Sequence, residues 1–66
     1  MRLTINGEKH DIDGNMTVSD LLLLLKINPE RTAVEINLQI IPKKAYDTHA
    51  LSEDDRIEIV HFVGGG

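Results

Sequence analysis

The chain has 66 residues, of which 41% are hydrophobic and 27% charged, a balance typical of one small globular domain (1–66) rather than of a disordered chain. Eleven acidic against seven basic residues give a formal net charge of -4. Nucleic acid and anionic membrane surfaces both need a basic face, so neither is expected as a partner. The chain has no cysteine, which excludes disulfides and a cysteine nucleophile and favours a reducing cytoplasm.

Neither a targeting segment nor a membrane span is predicted. The first seven residues alternate polar and apolar and lack the apolar region of a signal peptide. The longest apolar run, 21–25, is far shorter than the roughly 20 residues that cross a bilayer.

The first predicted element is a β-hairpin. Apolar and polar residues alternate over 1–5, which predicts a half-buried strand. Asn6-Gly7 predicts a type I′ turn, because both of its central positions need a positive φ. The return strand, 8–12, is mostly polar and is expected at an edge of the sheet.

A helix follows, with Thr17 as its N-cap and Asp20 in the position of a capping box. Leu23 and Leu24 widen the apolar stripe beyond that of a surface helix and predict a helix clasped by a sheet. Asn28-Pro29 is expected to end the helix after about three turns, since the residue before proline avoids the helical region. The buried stripe is predicted to consist of Val18, Leu21, Leu22 and Leu25.

The second half of the chain predicts three more strands. The last of them is apolar on both faces and is therefore expected to run centrally, beside the first strand. Together the elements predict an α+β fold, a mixed sheet of about five strands packed on one main helix. The segments are strands at 32–37, 39–41 and 56–63, a tight turn at Asn37-Leu38, an irregular stretch with one helical turn at 43–51, and an acidic turn at 52–55.

Side chains that could perform chemistry are scattered. The three histidines, His10, His49 and His61, lack the spacing of metal ligands, so no metal site is predicted. Ser19 and Ser52 occupy a helix start and a turn. The acidic run 53–55 is interpreted as a solvated turn rather than a cation site.

The glycine tail, 64–66, is the remaining candidate, and it follows directly on the strongest strand signal. One interpretation is a frayed terminus. The other is a flexible thread without side chains, which can enter a narrow channel and present an unhindered carboxylate for activation by another protein. The residue types alone leave both interpretations open.

Five segments of the chain form a pattern known from one family. They are 3–7 (LTING), 17–22 (TVSDLL), 33–37 (AVEIN), 41–42 (IP) and 55–66 (DRIEIVHFVGGG). With these segments in order over all 66 residues, the chain resembles the ThiS family, the ubiquitin-like β-grasp sulfur carriers of thiamine thiazole synthesis. The uniformly apolar run 21–25 departs from what the family leads us to expect.

The resemblance implies a carrier protein that is not an enzyme and binds no cofactor. A ThiF-type adenylyltransferase would join AMP from ATP to the Gly66 carboxylate, with Gly64 and Gly65 threaded into its channel. Sulfur drawn from cysteine by a desulfurase would then form a thiocarboxylate, which a ThiG-type thiazole synthase would use. The free carrier is expected to be a cytoplasmic monomer.

Alternatives remain at this point. They are the small subunit of molybdopterin synthase, a ubiquitin-like modifier joined through Gly66 to a target lysine, and a plain binding module with an idle tail. Val60 and Phe62 face away from Ile57 and Ile59, so we expect either a docking patch for a partner at Val60 and Phe62 or a cover over them formed by 43–51.

Overall fold

The structure is a computed structural model that describes residues 1–62 and shows a mixed sheet with a single α-helix on one face. The strand order is β2-β1-β5-β3-β4; β1 and β5 are parallel and the other neighbours antiparallel. This confirms the α+β prediction and the central position of the last strand beside the first. The elements are β1 (Arg2–Ile5), β2 (Glu8–Asp11), α1 (Val18–Leu24), β3 (Thr32–Ile36), β4 (Gln39–Ile41) and β5 (Arg56–His61), with 3₁₀ turns at Pro29–Arg31 and Lys43–Ala45.

Both predicted tight turns are present. Asn6 and Gly7 have φ values of 48° and 84°, and Ile5 pairs with Glu8 across the turn. Asn37 and Leu38 have φ values of 51° and 71° between β3 and β4. Positive φ at both central residues gives the twist that a two-residue hairpin needs. The first turn returns the chain as β2, which lies at the edge of the sheet as predicted.

The helix begins as the sequence predicts. Asp20 N–H donates to Thr17 Oγ1 at 3.2 Å, and Thr17 N–H donates to Asp20 Oδ2 at 3.0 Å. These two bonds form a capping box with aspartate in place of the commoner glutamate. The two preceding helical amides are also satisfied, because Val18 N–H donates to His49 and Ser19 N–H to Tyr46.

The helix ends earlier than predicted. It spans seven residues, about two turns rather than three, and stops before Asn28-Pro29 is reached. Lys26 adopts a left-handed conformation with φ of 59°. Its N–H donates to Leu23 at 3.1 Å, while Ile27 N–H donates to Leu22 at 2.9 Å. This pair of bonds is a Schellman motif, which closes a helix even without glycine.

The sheet packs on α1 as predicted, but Leu23 and Leu24 do not widen the buried stripe of the helix, and that part of the prediction is wrong. Leu23 and Leu24 are 79% and 55% exposed, because the single sheet covers only one side of α1. The core between helix and sheet contains Leu3, Ile5, Ile12, Val18, Leu21, Leu22, Val34, Ile36, Ile41, Tyr46, Leu51 and Ile57, with Leu25, Ile27 and Ile59 packed at its margin.

The 43–51 segment packs against α1, where its carbonyl groups accept the first helical amides. Its one helical turn, Lys43–Ala45, was predicted. Tyr46 is buried in the core, with its hydroxyl 3.4 Å from the carbonyl oxygen of Thr32. The segment therefore lies on the helix side of the sheet and does not cover Val60 and Phe62, which are 55% and 56% exposed.

Candidate functional site

The glycine tail follows the end of β5. Gly64, Gly65 and Gly66 lie outside the described residues, so the predicted threading and attachment roles are not addressed by the geometry. The strand before them is well held on one side, where Phe62 N–H donates to Arg31 at 2.8 Å. The tail therefore starts from a strand that pairs with β3 along its length.

Asn6 holds the other side of β5. The β1–β5 register ends at Ile5 opposite Ile57, and the Asn6 amide then donates to Ile57 at 2.8 Å. Beyond that point, Asn6 Oδ1 accepts from Ile59 N–H at 2.7 Å, and Asn6 Nδ2 donates to the Ile59 carbonyl at 3.2 Å. The sequence predicts Asn6 only as a turn residue. The available signal for its second role was a side chain at a hairpin tip that can both donate and accept hydrogen bonds.

The outer face of the sheet, away from α1, is apolar over a wider area than the sequence indicated. The register places Ala33 opposite Val60, and Ile40 on the same row as Glu35 and Glu58. We call the exposed apolar side chains of this face the outer patch. Its members are Leu38, Ile40, Val60 and Phe62, which are 90%, 77%, 55% and 56% exposed.

Leu38 and Ile40 are patch residues that the sequence analysis missed. The signal for Ile40 was present, because Ile41 is buried and neighbouring strand residues point to opposite faces. Leu38 lies at the tip of a hairpin, where alternation no longer assigns a face.

Charged groups lie within the outer face rather than only around it. Glu35 and Glu58 are directly opposite each other on β3 and β5. Like charges in this position repel, so the pair weakens the sheet slightly. A shallow surface depression of about 300 Å³ lies beside them, lined by Glu35, Asn37, Leu38, Arg56 and Glu58. The face thus combines exposed apolar area with charge inside it, whereas the centre of a typical protein-docking surface is depleted of charge and its rim is polar.

Ser19 and Asp55 are two polar side chains that have structural partners. The Ser19 hydroxyl bonds to the Asp47 carboxylate, and Ser52 N–H donates to buried Asp55. Burial raises the pKa of the Tyr46 hydroxyl above its ordinary value. Over residues 1–62, no group of three or more His, Asp or Glu side chains is placed to hold a metal ion. No helix in the same range is long and apolar enough to cross a membrane.

Comparisons with known proteins agree on one family. The model of the ThiS family matches residues 3–66. The sulfur carrier protein ThiS of Bacillus subtilis is 46% identical over 50 residues, covering 76% of each chain. A thiazole synthase of Paramagnetospirillum magneticum is 46% identical over 66 residues, which are 100% of this chain and 20% of that protein. The chain thus spans about a fifth of the length of that thiazole synthase.

The fold agrees with these matches. The crystal structure of a thiamine biosynthesis protein, ThiS, from Geobacter metallireducens superposes with a TM-score of 0.85 and 35% identity, over 100% of both chains. The β-grasp fold inferred from the sequence resemblance is confirmed by this similarity. Sequence and structure agree over essentially the full length, and the chain belongs to the ThiS family.

Proposed function

We propose that the chain is a sulfur carrier protein of thiamine biosynthesis, which presents sulfur as a thiocarboxylate at Gly66. The observation that supports this is the family match through residue 66, which includes the glycine tail. The name of the Bacillus subtilis relative, sulfur carrier protein ThiS, agrees with it. The chain itself acts as a co-substrate in the cytoplasm and is not an enzyme.

The proposed chemistry takes place at the carboxyl group of Gly66 and has three steps. On a ThiF-type adenylyltransferase, a carboxylate oxygen of Gly66 bonds to the α-phosphorus of ATP, and pyrophosphate leaves. The outer sulfur of a persulfide, formed on a cysteine desulfurase from the sulfur of cysteine, then bonds to the carbonyl carbon, AMP leaves and the persulfide proton goes to solvent. A thiol reductant supplies the two electrons that break the S–S bond of the resulting acyl disulfide; the donor thiol is released, the reductant becomes a disulfide, and the thiocarboxylate remains on Gly66. ATP is bound by the partner, and this chain needs no cofactor or metal of its own.

Gly64 and Gly65 serve as the thread in this proposal. Glycine has no side chain to meet the walls of a channel, and its backbone groups remain available to the partner. A bulky residue in place of Gly65, or an added residue after Gly66, should abolish adenylation and leave the melting temperature unchanged. Adenylation of an extended chain that has not first been trimmed would contradict the role of Gly66.

The outer patch is the proposed docking surface for a thiazole synthase. The support is that proteins named thiazole synthase contain a segment similar to this whole chain. An apolar surface of this kind is commonly covered by a protein partner. The patch also adjoins the end of β5, so docking there would bring the tail to the partner's surface.

Phe62→Asp tests the docking surface against a matched control. Phe62 and Leu23 are both exposed apolar residues, at 56% and 79%, but Leu23 lies on α1. Phe62→Asp should weaken binding to thiazole synthase at least tenfold, which corresponds to about 1.4 kcal/mol. Leu23→Asp should leave binding unchanged. Equal binding by both variants, with both folded, would remove the outer patch from the proposal.

Growth of a deletion strain tests the pathway. Cells that lack the protein should require thiamine, and the thiazole alcohol alone should restore growth. The pyrimidine half of the vitamin should not. Loss of molybdoenzyme activity without a thiamine requirement would instead assign the chain to molybdopterin synthesis. Lysine adducts ending in Gly65-Gly66 on other proteins would assign it to the protein modifiers.

A further inference from the structure

The two edges of β5 form hydrogen bonds with different kinds of partner: one edge with the backbone of β3, the other with β1 and the side chain of Asn6. Asn37 N–H donates to Arg56, and Phe62 N–H donates to Arg31, both across the β3–β5 pair. Hydrogen bonds to one neighbour recur at every second residue of a strand. The even-numbered residues of β5 therefore bond to β3, while Ile57 and Ile59 direct their backbone groups towards β1.

On the β1 side, backbone pairing stops before β5 does. β1 ends at Ile5, and the chain turns away at Asn6-Gly7. The next residue of β5 that faces β1 is Ile59, and the Asn6 carboxamide takes the place of a strand neighbour there. Ile59 N–H donates to Asn6 Oδ1 at 2.7 Å, and Asn6 Nδ2 donates to the Ile59 carbonyl at 3.2 Å. A carboxamide offers one donor group and one acceptor, as a peptide group does, so Asn6 stands in for a missing strand residue.

The turn alone does not require this carboxamide. A type I′ turn accepts asparagine, aspartate or glycine at this position, because all three tolerate a positive φ. Only asparagine among them both donates and accepts towards Ile59. Asn37, in the other tight turn, uses its carboxamide differently: it accepts from Arg56 N–H at 3.0 Å and donates to Asp55 at 2.9 Å. It thus acts at the start of β5, at the opposite end of the strand from His61.

We propose that Asn6 is a positioning residue for transfer at the tail, an inference that rests on the proposed function. Its two hydrogen bonds to Ile59 fix the last part of β5 on the side that faces β1, beyond the point where β1 itself pairs with β5. The position of the end of β5 then depends on two partners, β3 and Asn6, rather than on β3 alone. A fixed end of β5 delivers the tail to the adenylating site from a defined point once the body of the carrier has docked.

Asn6→Gly tests this role, because glycine keeps the positive φ and removes both bonds to Ile59. Formation of the AMP adduct is measured with the adenylyltransferase and ATP at increasing carrier concentration. We expect kcat to fall about 10- to 100-fold, the scale of a misaligned reacting group, while KM changes less than about twofold. Hydrogen exchange at the Ile59 amide should accelerate in the free carrier. Asn6→Asp retains the acceptor for Ile59 N–H and should show an intermediate kcat.

Thr17→Ala supplies the control for stability. It removes the side-chain bond to Asp20 N–H that caps α1, a bond in which β5 takes no part, and lowers the melting temperature. Its kcat should equal that of the unaltered protein at a temperature where both are folded. A kcat for Asn6→Gly equal to that of the unaltered protein, or a fall no larger than that of Thr17→Ala, would overturn the positioning role. If the unaltered protein gains no AMP, the proposed function fails and the role of Asn6 fails with it.

Discussion

The carboxamide of Asn37 donates a 2.9 Å hydrogen bond to the carboxylate of Asp55, which is only 8% exposed. The second oxygen of Asp55 accepts from Ser52 N–H at 2.8 Å. The bonds join the β3–β4 turn to the segment that starts β5. This turn and the Asn6 carboxamide thus hold the central strand at two points along its length.

Asp55→Ala should lower the free energy of unfolding by about 2 kcal/mol, because it leaves Ser52 N–H and the Asn37 amide without their buried partner. Urea denaturation measures the change. Asp11→Ala is the matched control, since the Asp11 side chain is exposed and forms a 3.5 Å ion pair with Arg2. That substitution should cost less than about 0.5 kcal/mol. Equal effects would show that burial of Asp55 adds nothing to stability.

Tyr46 should make the fold sensitive to alkaline pH. Burial raises the pKa of its hydroxyl above the ordinary value of 10.0, since the phenolate would lose hydration. A raised folded-state pKa means that the stabilisation is complete below pH 10.0 and is lost as the pH rises through the folded value. The melting temperature should therefore fall as the pH rises above 10.0.

Tyr46→Phe separates this effect from the titration of lysines. The difference in melting temperature between the two proteins should be constant at neutral pH and should shift in favour of the variant above pH 10.0. Tyr46 is the only tyrosine and there is no tryptophan, so ultraviolet absorbance follows its ionisation directly. A pH-independent difference would show that the hydroxyl titrates as freely in the folded chain as in the unfolded one.

Lys26→Gly should stabilise the protein. Lys26 holds a φ of 59° in the Schellman motif, a conformation that costs an L-residue about 1 kcal/mol and glycine much less. We expect a gain of about 0.5–1 kcal/mol in the free energy of unfolding. Leu25→Gly, one residue earlier at φ of −83°, should instead destabilise the protein. Destabilisation by Lys26→Gly would mean that contacts of the lysine side chain outweigh the backbone strain.

Much of the fold was predictable because local chemistry determines it. Asn6-Gly7 specifies its turn through positive φ, and Thr17 with Asp20 specifies the helix start through the capping box. The helix end was not predictable in this way. Lysine disfavours the left-handed conformation that Lys26 adopts, so the residue type gives no signal for the helix end. The packing of Ile27 against the core accompanies the Schellman bonds and depends on the tertiary structure.

The candidate site was predictable in part. Alternation along β5 placed Val60 on the outer face, where it is exposed. The partnership of Asn6 with Ile59 spans 53 positions in the chain and arises only when β1 and β5 align in parallel. Local pattern cannot give such a pairing. The exposure of Leu23 was missed for a similar reason, since it depends on how much of α1 one sheet can cover.

The central claim is that Gly66 becomes a thiocarboxylate, and intact mass spectrometry of the protein isolated from its native cells tests it most directly. We predict a species heavier by the exchange of one oxygen for one sulfur, with fragment ions that locate the sulfur on Gly66. The species should disappear when the adenylyltransferase gene is deleted. An unmodified Gly66 in cells that are actively making thiamine would contradict the account.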